Sequence, residues 1–413
     1  MFACITTSAN EQSTYSIGKL ATPNVHSLVA FVMIDVEVIT VRNTIRFIHC
    51  ADLHLDSPFK GLRHIPTKLL EEIQLSTYRA FQRLIDTAID RNVDFVLIVG
   101  DVFDGEQQSM RAHITLKTGF EKLARHNIQV YLSYGNHDFL ESHTLPRNYP
   151  ENVHIFNSSN VTHFPFIKDN QKLANIYGFS YTKREVLVNK VPEYKPTEDE
   201  SIFHIGTLHG SLGNEKNSED HAVYAPFQLT ELKQSKMDYW ALGHIHKREE
   251  ISHEPPIIYP GNTQGRSRKE SGEKGCYFVS LSENQSEFTF LPLQEIRYEN
   301  EILDMSPVEN IYELADVVDR LVERAGDRYG KVFLSLILKN KKEDWSMDRI
   351  QELIDITNEK YTDQKNWVYI YKIHHQQEKK GSMEQPGNKF LVELMRQIHN
   401  GDERALEELW LHT

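Results

Sequence analysis

Acidic and histidine side chains follow directly after an apolar run in the segment IHCADLHLDSP, residues 48–58. Ile48 and Cys50 are typical of the end of a buried strand. Asp52 and His54 then bring a carboxylate and an imidazole, groups that bind metal ions or move protons. A single motif of this kind has an ordinary explanation, because strands often end in polar turns. Only its recurrence elsewhere in the chain would indicate a chemical site.

The same pattern recurs four more times. Apolar strands are predicted just before the polar residues of GDVFDG, GNHDF, LHGS and GHIHK. Open α/β sheets place their sites at the carboxyl ends of strands, so segments far apart in the chain can converge on one point. We therefore predict one site with seven metal ligands: Asp52, His54, Asp101, Asn136, His209, His244 and His246.

These seven side chains offer carboxylate, amide and imidazole ligands but no thiolate. That mixture suits Mn²⁺, Fe or Zn²⁺ better than Ca²⁺, which prefers oxygen ligands alone. Seven ligands exceed what one ion needs from the protein, whereas two ions about 4 Å apart that share a carboxylate would use them all. Such a pair lowers the pKa of a bridging water and clamps a phosphoryl group during in-line displacement.

The elements that must position these residues alternate between strand and helix from Ile45 to about residue 150. IRFIHC, DFVLIVG and IQVYLSYG read as strands, and helical patterns cover residues 66–91 and 109–126. Beyond residue 150, short apolar runs separated by turn residues predict mostly strands. We expect an α/β fold, a four-layer α/β/β/α sandwich with two facing sheets between helices.

The composition changes near residue 299, which suggests a domain boundary. Residues 45–298 would form the main domain, and an alternating helix and strand pattern over 299–376 predicts a small α+β domain. Residues 377–413 read as a polar linker followed by an amphipathic helix.

Residues 1–44 are expected to be an N-terminal extension, either disordered or produced by an upstream start codon. The alternative is an extra edge strand. Its apolar run SLVAFVMIDVEVITV contains two acidic residues and is too short to span a bilayer. No basic region or cleavage site indicates a signal peptide, so we expect no membrane association.

The composition limits the remaining function classes. The net charge of −13 argues against a protein that coats nucleic acid by charge alone, although not against an enzyme that meets a phosphodiester at a local site. The three cysteines, Cys4, Cys50 and Cys276, are far apart and form no C-x-x-C pair. A disulfide framework and a thiolate zinc site are therefore not expected, and a reducing cytoplasm fits best.

The ordered motifs D-x-H, G-D-x-x-D, G-N-H-D, H and G-H-x-H resemble those of the calcineurin-like metallophosphoesterases. The flanking stretches HCADLHLDSPF, YPGNTQGR and SGEKG are similar to the SbcD-type DNA repair exonuclease branch, including its YhaO-like bacterial members. The resemblance covers about residues 45–298. The C-terminal third matches only in layout, resembling the small capping domain of that branch.

The resemblance implies a role for each motif residue. His137 would protonate the leaving oxygen or stabilise the transition state, and Asp104 would orient its ring. Arg266 is a candidate contact to the substrate phosphate. The metal ligands would divide into a first group with Asp52, His54 and His246, a second with Asn136, His209 and His244, and Asp101 as the bridge.

The expected function is hydrolysis of DNA phosphodiester bonds by an exonuclease or endonuclease that uses two divalent ions, preferably Mn²⁺, with a metal-bridged hydroxide as nucleophile. The resemblance also implies a homodimer and an SbcC-type coiled-coil ATPase as partner. One alternative is a phosphatase or small-nucleotide phosphodiesterase, which the acidic net charge favours. A second is a non-catalytic scaffold that binds DNA or an ATPase, which the complete ligand set opposes.

Overall fold

The computed structural model describes residues 42–57, 59, 65–105, 108–142, 148–213, 223–283, 285–341 and 345–376. The predicted N-terminal extension up to residue 41 lies outside these residues. The predicted linker and C-terminal helix, residues 377–413, also lie outside them.

The described residues form the following strands and helices in chain order: β1 (Ile45–Cys50), α1 (Thr67–Asp90), β2 (Phe95–Val99), α2 (Met110–Arg125), β3 (Gln129–Ser133), β4 (Val153–Ile155), β5 (Thr162–Lys168), β6 (Gln171–Gly178), β7 (Phe203–His209), α3 (Leu229–Gln234), β8 (Tyr239–Gly243), β9 (Glu249–His253), β10 (Pro256–Tyr259), β11 (Gly275–Leu281), β12 (Ser286–Pro292), β13 (Ile296–Asp304), α4 (Ile311–Tyr329), β14 (Lys331–Lys339), α5 (Met347–Tyr361) and β15 (Val368–Gln376).

The first sheet has the strand order β12-β11-β1-β2-β3-β4. Strands β1 to β4 run parallel, and β11 and β12 are antiparallel additions at the β1 edge. Helices α1 and α2 cover its outer face, where Phe81 and Phe120 join the buried cluster of Ile48, Val96 and Ile98. The parallel arrangement puts the carboxyl ends of β1, β2 and β3 at one edge.

The second sheet has the order β5-β6-β7-β8-β10-β9, and its four inner strands are parallel. Phe47, Phe95 and Tyr131 of the first sheet pack with Ile205 and Tyr239 of the second in a core between the sheets. The rings of Phe47 and Tyr239 meet edge to face at 5.2 Å. Burial of both inner faces therefore holds the two sheets together.

The outer face of the second sheet is also covered. Trp240 lies in a buried cluster with Phe179 and with Leu232 of α3, and its Nε1–H donates to the Leu232 carbonyl at 3.1 Å. The layers are thus helix, sheet, sheet and a last layer containing α3, which confirms the predicted fold class.

Local signals explain where the longer helices form. In α1 the buried residues Leu69, Ile73, Phe81 and Leu84 share one face at helical spacing. Ser109 caps α2 by accepting the backbone N–H of Ala112 at 3.1 Å. Within the described part of the chain, no helix combines the length and the apolar character needed to cross a bilayer.

The third sheet consists of the parallel strands β13, β14 and β15. Helices α4 and α5 cover one face around Leu334 and Leu336. On the other face Phe333 packs with Leu69 and Ile73 of α1. All nine residues of β13 pair with β14, so the boundary predicted after residue 298 falls inside this strand, and the third sheet begins at Ile296.

Candidate dimetal centre

Five parallel strand ends meet where the two sheets face each other. The predicted ligands follow β1, β2 and β3 of the first sheet and end or follow β7 and β8 of the second. Each of the seven residues is at most 8% exposed. Polar groups buried to this degree require partners, so their convergence points to a ligand held in common.

The backbone around these ligands adopts a conformation that L-residues rarely use. The φ angles of Asp52, His54, Asp101 and His244 are 53°, 44°, 48° and 95°. Such left-handed residues cost on the order of 1–3 kcal/mol each and persist where surrounding contacts enforce them.

Two backbone hydrogen bonds enforce part of this conformation. Asp52 N–H donates to the Gly100 carbonyl at 3.2 Å, and His54 N–H donates to the Asp101 carbonyl at 3.0 Å. The loop after β1 is therefore fastened to the loop after β2, which brings the two aspartates to the same place.

The first ligand group is compact. One ligand atom from each of Asp52, His54 and His246 lies within 4.8 Å of the others. The Nε2 atoms of His54 and His246 are only 3.0 Å apart, and His246 Nε2 is 3.9 Å from Asp52 Oδ1. Two imidazole nitrogens aimed at each other are typical of ligands converging on one cation.

The second group centres on Asn136. Its Oδ1 lies 3.1 Å from His209 Nε2 and 3.1 Å from His244 Nδ1. Asp101 Oδ2 is 3.4 Å from His209 Nε2 and 3.7 Å from His54 Nε2. This carboxylate therefore lies between the two groups, where a bridging ligand is needed. The structure brings all seven predicted ligands together.

This donor set fits two divalent cations. Carboxylate, amide and imidazole atoms converge in two adjoining groups, and the described cluster contains no thiolate. When bound, such cations supply Lewis acidity and a nucleophilic oxygen at neutral pH.

The charges of the site are strongly coupled. Burial, partly opposed by His209, raises the pKa of Asp52 to about 8. Burial alone would also raise the pKa of Asp101, but the imidazolium of His209 outweighs it and holds that pKa well below its usual value. Burial disfavours the protonated form of His209, but the Asp101 carboxylate stabilises it and raises the pKa of His209 to about 9. Cation binding must displace this proton, because a metal-bound imidazole is neutral.

Glycines surround the His209 ring. A Cβ atom on Gly100, Gly135 or Gly243 would overlap the ring, and one on Gly135 would also overlap the Asp101 carboxylate. His209 Nδ1–H donates to the Val99 carbonyl at 3.0 Å, which turns Nε2 towards the site. The glycines of the three G-containing motifs are thus required by close packing around one ligand.

His137 lies at the opening of the site. Its side chain is 34% exposed, and its ring stands across that of His54 at 5.0 Å between centroids. Its Nδ1–H donates to the backbone carbonyl of Asp104 at 3.2 Å, which leaves Nε2 for a substrate.

Asp104 holds His137 differently from the prediction. Its carboxylate oxygen is 3.7 Å from His137 Nδ1 but 2.9 Å from His54 Nδ1, and it pairs with the Arg266 guanidinium. The carboxylate is thus engaged elsewhere, and the backbone carbonyl of the same residue orients the His137 ring.

Glu270 is a site residue that the sequence reasoning missed. Its Oε1 accepts from His246 Nδ1 at 2.7 Å, and its Oε2 accepts from the Arg266 backbone N–H at 2.6 Å. Hydrogen bonds and charges from these two residues outweigh burial and hold the pKa of Glu270 well below its usual range. Carboxylates that orient metal-binding histidines in this way are common. The one signal was an acidic residue four positions after Arg266.

The loop that carries Arg266 and Glu270 is attached to the third sheet. Gln264, which is buried, donates from Nε2 to the Ile296 carbonyl at 2.8 Å and accepts the Glu295 N–H at 2.8 Å. Arg266 Nε is buried and has no hydrogen-bond partner among the described residues. The predicted phosphate contact therefore lies beside the ligands, with one donor unused.

Asp138, the last residue of G-N-H-D, connects two loops of the site. Its carboxylate accepts the backbone N–H groups of Gly135 and Val102, both at 2.7 Å. This joins the loop after β3 to the loop after β2. Burial, with Asp101 nearby, raises the pKa of Asp138 to about 7.

Comparisons with known proteins agree with this geometry. A family model for calcineurin-like phosphoesterases matches residues 45–248. The metallophosphoesterase YhaO of Bacillus subtilis (strain 168) is 37% identical over 342 residues, which cover 82% of this chain and 83% of that protein.

More distant relatives are repair proteins. The DNA double-strand break repair protein Mre11 of Methanocaldococcus jannaschii is 27% identical over 256 residues, or 58% of this chain and 63% of that protein. The protein of the same name from Sulfolobus acidocaldarius is 24% identical over 391 residues, or 87% of this chain and 92% of that protein. The resemblance predicted from the motifs is confirmed: the chain belongs to the calcineurin-like metallophosphoesterase family and is a metal-dependent phosphoesterase.

Proposed function

We propose that this protein hydrolyses phosphodiester bonds in DNA, as an exonuclease or endonuclease that works with two divalent cations, preferably Mn²⁺. The observation that carries the proposal is the convergence of seven buried ligands beside one partly exposed histidine, His137. The ligands suit two cations, and the histidine is placed to meet a substrate held against them.

His137 acts as the general acid in this proposal. Its Nδ1–H is held by the Asp104 carbonyl, which is an acceptor that suits the protonated imidazolium as well as the neutral ring. The proton on Nε2 then passes to the leaving oxygen, whose charge develops as the P–O bond breaks.

Arg266 neutralises charge on the same phosphate. Its guanidinium is anchored by Asp104, and its Nε–H is a buried donor that no described residue accepts. Buried donors of this kind gain from an acceptor such as a phosphate oxygen.

DNA is favoured as substrate by two independent observations. The relatives at 24–27% identity carry the name of a DNA double-strand break repair protein. The loop that carries Arg266 and Glu270 is hydrogen-bonded to the third sheet through Gln264. The third sheet is therefore connected to the site, as expected for an enzyme that restricts how duplex ends approach.

The proposal is tested by incubating the purified protein with Mn²⁺ and labelled duplex DNA, cyclic nucleotides or p-nitrophenyl phosphate, with and without a chelator. We expect cleavage of DNA that the chelator abolishes. Cleavage confined to the small substrates would instead support a phosphatase or a small-nucleotide phosphodiesterase, the class that the net charge of −13 favours.

A His137→Ala variant tests the assignment of the acid. We expect the cleavage rate to fall on the order of 10²–10⁴-fold while the metal content stays the same. An unchanged rate with metal still bound would show that another group protonates the leaving oxygen.

A further inference from the structure

Lys274 is a buried lysine that contacts the backbone of a metal ligand. Only 7% of the residue is exposed, and it lies directly before β11. Its ammonium donates to the His246 carbonyl at 2.9 Å. Lysine is rarely buried to this degree, because removing an ammonium from water is unfavourable unless acceptors or charges compensate it. The contact with His246 is therefore a candidate for a role in the metal site.

The charges around Lys274 oppose one another. Burial lowers the pKa of Lys274, and the carboxylates of Glu270 and Asp52 counteract that shift. The guanidinium groups of Arg266 and Arg248 lower the pKa further. Since anions and cations both surround the ammonium, attraction of an anionic substrate does not explain its burial. The directional hydrogen bond to the His246 carbonyl does.

The His246 carbonyl is closely enclosed. Besides the Lys274 ammonium, it accepts the backbone N–H of Asn262 in a long contact of 3.4 Å. Gly261 has a φ angle of 76°, and a Cβ atom on it would overlap this carbonyl oxygen. The backbone at His246 therefore has little room to shift while the ammonium is in place.

The backbone of Lys274 is anchored as well. Its N–H donates to Gln294 Oε1 at 2.9 Å, and its carbonyl accepts the N–H groups of Leu293 and Gln294 at 2.8 and 3.2 Å. Both partners lie between β12 and β13, just before the third sheet begins. The side chain of Lys274 thus reaches from a fixed backbone to the metal ligand.

His246 is consequently held at two points. Glu270 accepts its ring N–H at 2.7 Å, and Lys274 donates to its carbonyl. The contact with Glu270 orients the ring, whereas the contact with Lys274 fixes the backbone from which the ring projects. Together they direct Nε2 towards His54, whose own Nε2 is 3.0 Å away in the first ligand group. Metal ligands supported in this way are preorganised for the cation.

We propose that Lys274 is a positioning residue for the cation of the first ligand group and acts through the backbone of His246. The inference concerns the metal site and holds whichever phosphoester the enzyme cleaves. Its effect differs in sign from that of charge. The positive charge of Lys274 by itself repels a cation, so loss of the charge alone would raise metal affinity, whereas loss of the hydrogen bond to His246 lowers it.

The test is titration calorimetry of Mn²⁺ with the full-length protein after removal of metal by a chelator. The variant Lys274→Met loses both the donor and the charge from a side chain of similar length. We expect one equivalent of Mn²⁺ to bind about tenfold more weakly. The equivalent bound by the second ligand group should keep its wild-type affinity, which also shows that the variant is folded. Lys274→Arg restores a charged donor and should recover most of the lost affinity.

Arg248→Met is the matched control. Arg248 also places a positive charge near Lys274, but its guanidinium lies over the Phe290 ring and pairs with Glu273. We expect this variant to bind both equivalents with wild-type or slightly higher affinity. An equal decrease in Arg248→Met and Lys274→Met would overturn the inference, because it would show that the bond to His246 is not the cause.

Three further results would overturn it: an unchanged or higher affinity in Lys274→Met, an equal decrease for both equivalents, or a decrease that Lys274→Arg does not reduce. Wild-type protein that binds no Mn²⁺ would overturn it together with the dimetal assignment. Failure of the proposed function is distinguishable, because a protein that cleaves no DNA still gives these titrations.

Discussion

The metal site and the third sheet bury opposite kinds of side chain. At the site, carboxylates, imidazoles and an amide are almost fully buried, and four ligands have left-handed backbones. In the third sheet the buried cluster is apolar, with Leu334 and Leu336 at its centre. Its helix α4 begins at an Asn310 cap that accepts two backbone N–H groups, as local propensity favours.

This difference in buried side chains indicates that the site serves function and the third sheet serves stability. Burial of apolar surface stabilises the third sheet without any ligand. The site instead gathers charges whose desolvation opposes folding, and only mutual contacts and bound cations compensate them. Changes at the site should therefore affect activity more than folding, and changes in the third sheet should do the reverse.

The largest effect is expected from Asp101→Asn. The amide keeps an oxygen that can accept the His137 backbone N–H, which Asp101 Oδ1 accepts at 3.0 Å, but it removes the negative charge between the two ligand groups. We expect kcat/KM on bis-p-nitrophenyl phosphate to fall on the order of 10³-fold, with Mn²⁺ content reduced. Two equivalents of bound metal together with wild-type activity would contradict the bridging assignment.

Leu334→Ala is the converse experiment in the third sheet. Leu334 is fully buried, so the truncation leaves a cavity and should lower the free energy of unfolding by about 2–5 kcal/mol. Urea denaturation measures this decrease, while the Mn²⁺ content and kcat/KM of the folded protein should stay near wild-type values. A variant of full stability but impaired metal binding would reverse the comparison.

Glu270→Gln tests the loop that connects the metal site to the third sheet, where Gln264 is hydrogen-bonded to β13. The variant keeps the shape of the side chain but removes the charge that orients His246. We expect Mn²⁺ affinity, measured by titration calorimetry, to fall about 10–100-fold. Glu273→Gln is the matched control, because Glu273 lies in the same loop and is 43% exposed. Equal behaviour of the two variants would show that the charge on Glu270 does not position His246.

The smallest effect concerns His49, a buried histidine of β1 outside the ligand set. It lies 2.9 Å from the Tyr239 hydroxyl and 3.0 Å from the Leu242 carbonyl, and burial lowers its pKa from 6.5 to about 3. Its unfolded-state pKa is the higher one, so its contribution to stability is complete above pH 6.5 and is lost as the pH falls towards 3.

Between pH 6.5 and 5.5 the decrease in stability amounts to about 1 kcal/mol. His49→Gln should remove this part of the pH dependence, although it lowers the stability at neutral pH. Urea denaturation at a series of pH values measures the slope. Parallel curves for the two proteins would mean that His49 is not held neutral by burial.

Much of the candidate site followed from local sequence. An apolar strand that ends in Asp or His is a local signal, and five such ends in an alternating strand and helix pattern indicate one edge of an α/β fold. The central strands were found because both of their faces are buried. The edge strands β5 and β9 and the strand β13 carry a weaker signal, because several of their residues face solvent and interrupt the apolar pattern.

The sequence by itself determined which side chains can bind the cations and which family they belong to, because ligand chemistry and motif order are properties of the chain. The tertiary structure alone decided which atoms meet: Glu270 on His246, and the Asp104 carboxylate on His54 and Arg266. These contacts join segments up to 162 residues apart, as between Asp104 and Arg266. Folding sets such distances through the packing of whole sheets, and no local pattern encodes them.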